Sequence, residues 1–135
     1  MTAIRSVLDK TALLGLLRGD FEVDLEDGLA GYAVSVITIS DLLGDLIHDY
    51  EVEADTADDI LDQGYAVVPC DRAIAELAAR LRPITSHHHL TMADRCCIAT
   101  AKSLGTSVTT GTKEWGKLQI AEVDINVLKK QGPAN

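Results

Sequence analysis

Three aspartates follow predicted β-strands, where their carboxylates can act together. Asp9 comes directly after an apolar run at 4–8, and Asp41 is expected in the first turn of the helix after a run at 33–37. Asp94 is expected in the first turn of the helix that leads to a later strand. In an open parallel sheet, ligands collect beyond the carboxyl ends of the strands. Carboxylates that meet there suit Mg²⁺ or Mn²⁺, since hard cations prefer oxygen ligands.

Helix capping is a second explanation for each of these aspartates. Thr38-x-x-Asp41 and Thr91-x-x-Asp94 both have a spacing close to that of a capping box, and Asp9 fits the cap of the first helix. Capping alone accounts for any one of the three. Their joint position after strands is what favours a metal site.

Alternating strand and helix patterns position these residues. Apolar runs flanked by helix signals repeat along the chain, which indicates βα units around a parallel sheet. We predict five short strands, at about residues 4–8, 33–37, 65–68, 107–109 and 123–128. We predict helices at about 13–17, 22–30, 40–50, 56–61, 72–81, 92–103 and 113–118. Gly19 should end the first of these helices and Pro83 the one at 72–81.

Length and apolar content favour one cytoplasmic domain. The chain has 135 residues, of which 47% are hydrophobic, enough for a single sizeable core. No run approaches the roughly 18 apolar residues of a membrane span, and Asp9 interrupts the start before a signal peptide could form. We therefore expect no membrane partner, a domain at 1–128 and a polar tail at 129–135.

Cysteine spacing and charge narrow the chemistry further. The three cysteines fit neither a disulfide framework nor a zinc site and should be small buried side chains. The net charge of −9 argues against a surface that is basic all over. Any contact with nucleic acid must therefore use a local basic cluster or bound cations.

Four segments resemble, in order, the successive motifs of VapC-type PIN-domain toxins. They lie at 7–14, with Asp-Lys-Thr at its centre, and at 37–43, 81–105 and 108–115. Together they cover nearly the whole chain. The resemblance implies a three-layer α/β/α sandwich with a central, mainly parallel sheet. It also implies Mg²⁺-dependent endonucleolytic cleavage of RNA, with Mn²⁺ as a possible substitute.

The resemblance implies roles for individual residues. Asp9 and Asp94 match the first and third acids of the family, and Thr11 matches a hydroxyl residue that supports the metal site. Asp41 stands where the family usually has Glu, which reaches about 1.5 Å further. Thr112 stands where an Asp is common, so it can bond a ligand water but brings no charge.

Basic residues beside the acids are candidates for binding the RNA backbone. Lys10, Arg95 and Lys113 adjoin the three motifs, and Arg95 matches a basic residue common beside the third acid. Each also fits an ordinary surface residue that balances nearby acids. The three consecutive histidines at 87–89 share no face and cannot all ligate one metal, so we expect a loop from which one imidazole could touch substrate.

Two protein partners are also implied by the resemblance. One is an antitoxin whose C-terminal segment puts a basic residue into the acidic pocket, a match of opposite charges. The other is a second copy of the chain. For this homodimer, the apolar residues at 42–47 are a candidate interface, although they also fit a place in the core.

Two other functions fit parts of the sequence. The segment Asp9-Lys-Thr11 after a strand also resembles the phosphoryl-accepting segment of haloacid-dehalogenase phosphatases, but Ala12-Leu13 stands where those enzymes have Gly-Thr. A weakened PIN domain that binds RNA or protein without cutting is the non-enzymatic alternative, and Thr112 keeps it open. A dinucleotide-binding domain is excluded because no GxGxxG follows the first strand.

Overall fold

The computed structural model describes residues 3–23 and 28–132. Within them, five strands form one sheet: β1 (Ser6–Leu8), β2 (Tyr32–Ser35), β3 (Ala66–Val68), β4 (Ser107–Thr110) and β5 (Ile125–Val127). Five α-helices accompany them: α1 (Lys10–Arg18), α2 (Val36–His48), α3 (Ala54–Leu61), α4 (Arg72–Ile84) and α5 (Met92–Leu104). Two 3₁₀ helices, Ser86–His88 and Lys113–Lys117, precede α5 and follow β4. The predicted α/β class is confirmed, and the five strands follow one another as predicted.

The sheet is parallel, in the order β3-β2-β1-β4-β5. β1 is central, and its Val7 lies opposite Ala33 of β2 and Val108 of β4. From β1 the chain passes to β2 and β3 on one side, then returns to β4 and β5 on the other. The strand order therefore reverses between β1 and β4, which is where open α/β sheets bind ligands.

Two apolar clusters cover the two faces of the sheet. Val7 belongs to the cluster formed with α4 and α5, whereas its neighbour Leu8 belongs to the cluster formed with α1, α2 and α3. Successive strand residues point to opposite faces, so adjacent residues enter different clusters. Because both faces are covered at the centre of the sheet, β1 and β2 appear in the sequence as largely apolar runs. The result is the predicted three-layer α/β/α arrangement.

The second helix begins earlier than the sequence pattern indicated. Ser35 caps α2 by accepting the Ile37 N–H at 3.2 Å, so the preceding strand ends at Ser35 and not at residue 37. The predicted capping box of Thr38 and Asp41 is wrong, because Thr38 is a buried residue of the helix interior. Asp41 consequently lies in the second turn of the helix and not in the first.

The fourth helix continues past its proline. α4 ends at Ile84, so the prediction that Pro83 ends it is wrong. Proline lacks an N–H and removes a helical hydrogen bond. Here Thr85 closes the last turn, because its N–H and its hydroxyl both donate to the Leu81 carbonyl, at 2.9 and 2.7 Å.

Residues 24–27 of the helix predicted at 22–30 lie outside the described residues. The prediction is wrong at both ends, because residues 22–23 are not helical and residues 28–31 form a turn. Residues 129–131 of the predicted tail are bonded to the segment at 20–22. The Glu22 N–H donates to the Lys129 carbonyl at 2.8 Å, and Phe21 forms an antiparallel bridge with Lys130. Over the described ranges, the helices are too short or too polar to cross a membrane.

Candidate active site

Asp9 lies where β1 ends and is the N-cap of α1. Its side chain is only 2% exposed. Oδ1 accepts the Ala12 N–H at 2.8 Å and the Thr11 hydroxyl at 2.9 Å. Oδ2 accepts the Thr110 hydroxyl at 2.6 Å. The capping explanation is therefore correct for Asp9, but the bond from Thr110 shows that β4 also fixes this carboxylate.

The electrostatic surroundings of Asp9 are unusual for a carboxylate. Burial raises the pKa of Asp9 above its ordinary value, opposed by hydrogen bonds from Thr110, Ala12 and Thr11, while the charge of Asp94 adds to the increase. Among the described residues, no Lys or Arg pairs with Asp9. A buried carboxylate without a cation is costly, so a bound cation would stabilise its charged form.

Thr110 is a site residue that sequence reasoning missed. It is fully buried, and its hydroxyl both donates to Asp9 and accepts the Thr112 N–H at 3.0 Å. The Thr112 hydroxyl is linked to Asp9 only through Thr11, because it donates to Thr11 Oγ1 at 3.2 Å and the Thr11 hydroxyl donates to Asp9. Thr110 ends β4 beside β1, so the rule that selected Asp9, a polar residue at the end of a central strand, would also have found it.

Asp41 is held by a neighbouring lysine. Lys10 Nζ lies 3.3 Å from Asp41 Oδ2 and 2.9 Å from Asp45 Oδ2, and these side chains are about one-third exposed. Partial burial lowers the pKa of Lys10, but its bonds to Asp45 and Asp41 outweigh that and raise the pKa. Lys10 is thus shared between two acids one turn apart, and Asp45 was not anticipated from the sequence.

Asp94 forms the capping box that its spacing indicates. Its N–H donates to the Thr91 hydroxyl at 3.1 Å, and its Oδ2 accepts the Thr91 N–H at 2.9 Å. The cap does not remove Asp94 from the site, because Asp94 lines the same cleft as Asp9. Its charge also adds to the raised pKa of Asp9. It also contributes, with Asp9, to a raised pKa of the Cys97 thiol, for which burial is the main cause. Asp9 and Asp94 therefore lie close enough for their charges to act on each other and on the same thiol.

One cleft of about 350 Å³ brings the three aspartates together. Six of the residues selected from the sequence line it, namely Asp9, Lys10, Thr11, Asp41, Asp94 and Thr112. Arg95 and Lys113, selected as substrate-binding residues, do not line it. The Arg95 guanidinium instead donates to the Leu90 carbonyl at 2.8 Å.

Two histidines and a glutamate complete the cleft wall. His88 and His89 line the cleft, whereas His87 does not. Ser86–His88 is a 3₁₀ helix, and His89 follows it with a left-handed backbone (φ 55°), which brings the chain to the start of α5. Glu114, from the 3₁₀ helix after β4, adds a further acid.

Most polar side chains of the cleft other than His88, His89 and Lys10 offer carboxylate or hydroxyl oxygens, which suit a hard divalent cation. In the ranges 3–23 and 28–132, no three His, Cys, Asp or Glu side chains are close enough to hold a metal together. Each outer acid has a competing partner, Lys10 for Asp41 and the Thr91 N–H for Asp94. To share one ion with Asp9, the side chains of Asp41 and Asp94 must therefore rotate away from these partners. Lys10 still has Asp45 as an ion-pair partner after Asp41 has rotated.

The fold and the cleft define a parallel α/β domain with a carboxylate site at the switch point of its sheet. A sequence model of the PIN domain family matches residues 6–119. The chain therefore belongs to the PIN domain family, as its motifs indicated. No curated protein matches the chain in sequence.

Solved structures of toxin–antitoxin proteins share this fold. A member of the VapBC family of toxin–antitoxin systems from Mycobacterium tuberculosis is 20% identical, with 92% of this chain and 98% of that chain covered and a TM-score of 0.63. DNA-bound VapBC from Salmonella typhimurium is 14% identical, covers 90% and 98%, and has a TM-score of 0.68. A toxin–antitoxin complex from Klebsiella pneumoniae is 21% identical, covers 88% and 95%, and has a TM-score of 0.60.

Proposed function

We propose that this PIN domain is a metal-dependent endoribonuclease and the toxin of a toxin–antitoxin pair. Its family membership supports nuclease chemistry, and the toxin–antitoxin structures that share its fold support the biological role. One observation carries the catalytic part. Asp9 is buried at the end of the central strand, has no basic partner among the described residues, and shares a cleft with Asp41 and Asp94.

Asp9, Asp94 and Asp41 are the residues that would hold Mg²⁺ or Mn²⁺, with Thr11 and Thr112 bonding its water ligands. When bound, such a metal lowers the pKa of a water ligand and neutralises charge that develops on a phosphate. The chain itself supplies orientation. Thr110 and the Ala12 N–H fix the Asp9 carboxylate, so it needs little reorganisation when a cation arrives.

Cleavage of a mixed RNA pool tests the proposal. We expect purified protein to cut RNA in Mg²⁺ or Mn²⁺ but not in EDTA. The double variant Asp9→Asn, Asp94→Asn should lose at least about 100-fold in rate, since it removes two charges that stabilise the transition state through the bound cation. The matched control is Asp55→Asn, Asp59→Asn, which removes two exposed acids of α3 and should cut normally. Cleavage that persists in EDTA or in the Asp9, Asp94 variant would contradict the proposal.

A PIN domain that binds RNA or protein without cutting is the second candidate. Two observations favour it. Thr112 brings no charge to the cleft, and Asp41 already forms an ion pair with Lys10 that competes with metal binding. Calorimetric titration with Mn²⁺ and Mg²⁺ separates the two. Millimolar binding that disappears in Asp9→Asn supports the enzyme, whereas RNA binding without any metal binding supports the second candidate.

An antitoxin and a homodimer complete the proposed function. The cleft holds four acids against one lysine that is already paired, so a basic side chain from a partner would be attracted to it. For the homodimer, Leu42 and Leu46 are buried in the core of their own chain. Within the interface predicted at 42–47, only the exposed residues are therefore available to a second copy, such as Ile47, which is 43% exposed.

A further inference from the structure

A groove next to the acidic cleft is lined by three lysines. The groove measures about 670 Å³ and lies between the start of the Lys113–Lys117 helix and the residues that follow β5. Thr112 and Glu114 line both the groove and the cleft, so the two adjoin. A chain molecule that leaves the cleft past Thr112 enters the groove directly.

The charge of this groove is opposite to that of the protein. The net charge of the chain is −9, yet the groove contains Lys113, Lys129 and Lys130 against the single acid Glu114. All three lysines are exposed. Among the described residues, the ion pair that involves them joins Lys129 to Glu22 at 3.7 Å, with side chains 82% and 49% exposed. Such an exposed pair contributes little and leaves the lysine available.

Backbone bonds fix the position of these lysines. The Leu128 N–H donates to the Thr110 carbonyl at 2.8 Å, and residues 129–131 are bonded to the segment at 20–22. Phe21, which bridges to Lys130, is buried against Gly111, where an added Cβ would lie 2.6 Å from its ring. The two C-terminal lysines are therefore held along the groove and do not sit on a free tail.

We propose that Lys113, Lys129 and Lys130 form a track for the phosphates of single-stranded RNA whose scissile bond lies in the cleft. This inference rests on the proposed nuclease function. The cleft itself offers little positive charge, because Lys10 is the one Lys or Arg that lines it in the described ranges and is shared by two acids. Lysines bind phosphate as point charges and do not read sequence, so the track supplies affinity and direction.

Salt-dependent binding of RNA to the full chain tests the track. The probe is a fluorescent single-stranded RNA, titrated by anisotropy in EDTA across a NaCl series. The test variant replaces Lys113, Lys129 and Lys130 by Gln. The control replaces Arg80, Arg82 and Lys102 by Gln, which removes an equal number of positive charges outside the groove. Each phosphate contact to a single strand contributes about 0.7 to the slope of log K against log salt.

We expect the test variant to lose about 2 from that slope and about tenfold in affinity at low salt, with the control close to wild type. Equal slopes and affinities in the two variants would overturn the track, even if the protein cuts RNA. A lysine-dependent slope without cleavage in Mg²⁺ or Mn²⁺ would support the track and reject the nuclease. A parallel titration uses fluorescent polyglutamate as a model of an acidic protein segment. If the test variant loses affinity for polyglutamate but not for RNA, the groove binds an acidic protein segment and the proposal fails.

Discussion

Replacing Thr110 by Val removes one hydroxyl from the most buried part of the site and keeps the shape of the side chain. The hydroxyl is a donor to the Asp9 carboxylate at 2.6 Å and the acceptor for the Thr112 N–H at 3.0 Å. A hydrogen bond to a charged group is worth about 1.5–3 kcal/mol, and a partly buried N–H loses its partner as well. We expect Thr110→Val to lower the free energy of unfolding by about 2–3 kcal/mol at neutral pH.

This loss should depend on pH, because the bond from Thr110 lowers the pKa of Asp9. Without it, burial acts with less opposition and raises the pKa of Asp9 further. A carboxyl whose pKa is higher in the folded chain than in the unfolded chain costs stability as the pH rises through the folded value. The difference between wild type and Thr110→Val should therefore be largest above the folded-state pKa of Asp9 and shrink towards acid pH, where the carboxyl is protonated in both.

Urea unfolding at a series of pH values measures this difference. Thr100→Val is the matched control, since Thr100 is equally buried but donates at 2.7 Å to the neutral Cys96 carbonyl within α5. We expect the control to lose about 1 kcal/mol or less, independently of pH. If the two variants lose the same free energy at every pH, the carboxylate network at Asp9 does not carry the energy that its geometry indicates.

Three further predictions concern the surroundings of the site. Gly111→Ala should lower the free energy of unfolding by about 1–3 kcal/mol, and with it the melting temperature by several degrees, because the added Cβ would lie 2.6 Å from the Phe21 ring. Gly44→Ala in α2 is the control, since it has open space around it and should be neutral or stabilising. His88→Ala should raise KM for RNA more than it lowers kcat, with His87→Ala as the control outside the cleft; equal kinetics would remove the imidazole from the substrate site. Ile47→Glu should shift a dimer to monomer in light scattering after gel filtration, and an unchanged mass would exclude this surface.

The order of elements and two of the acids could be predicted because local signals agree with the fold. Asp9 directly follows an apolar run and Asp94 occupies a capping box, so each position is determined within a few residues. Asp41 was expected one turn too close to the start of its helix, since Thr38 fits a capping box with it and the predicted strand at 33–37 concealed Ser35 as the cap.

The remaining features depend on contacts that no local pattern encodes. Lys10 pairs with Asp45 only because α1 and α2 pack side by side. Thr110 is a different case: it directly follows the strand predicted at 107–109, as Asp9 follows the run at 4–8, and it was missed because only acidic residues were selected at the strand ends. Which of the histidines line the cleft depends on the 3₁₀ helix Ser86–His88, where the sequence indicated only a loop.

The bond between Asp9 and Thr110 joins residues 101 positions apart in the chain. During synthesis Asp9 is made well before Thr110, and β4 emerges only after the five described α-helices. Until then the central strand lacks one neighbour, and such long-range pairing forms late in folding. A chain that ends before residue 107 lacks β4 and Thr110, so it cannot complete the hydrogen-bonded surroundings of Asp9.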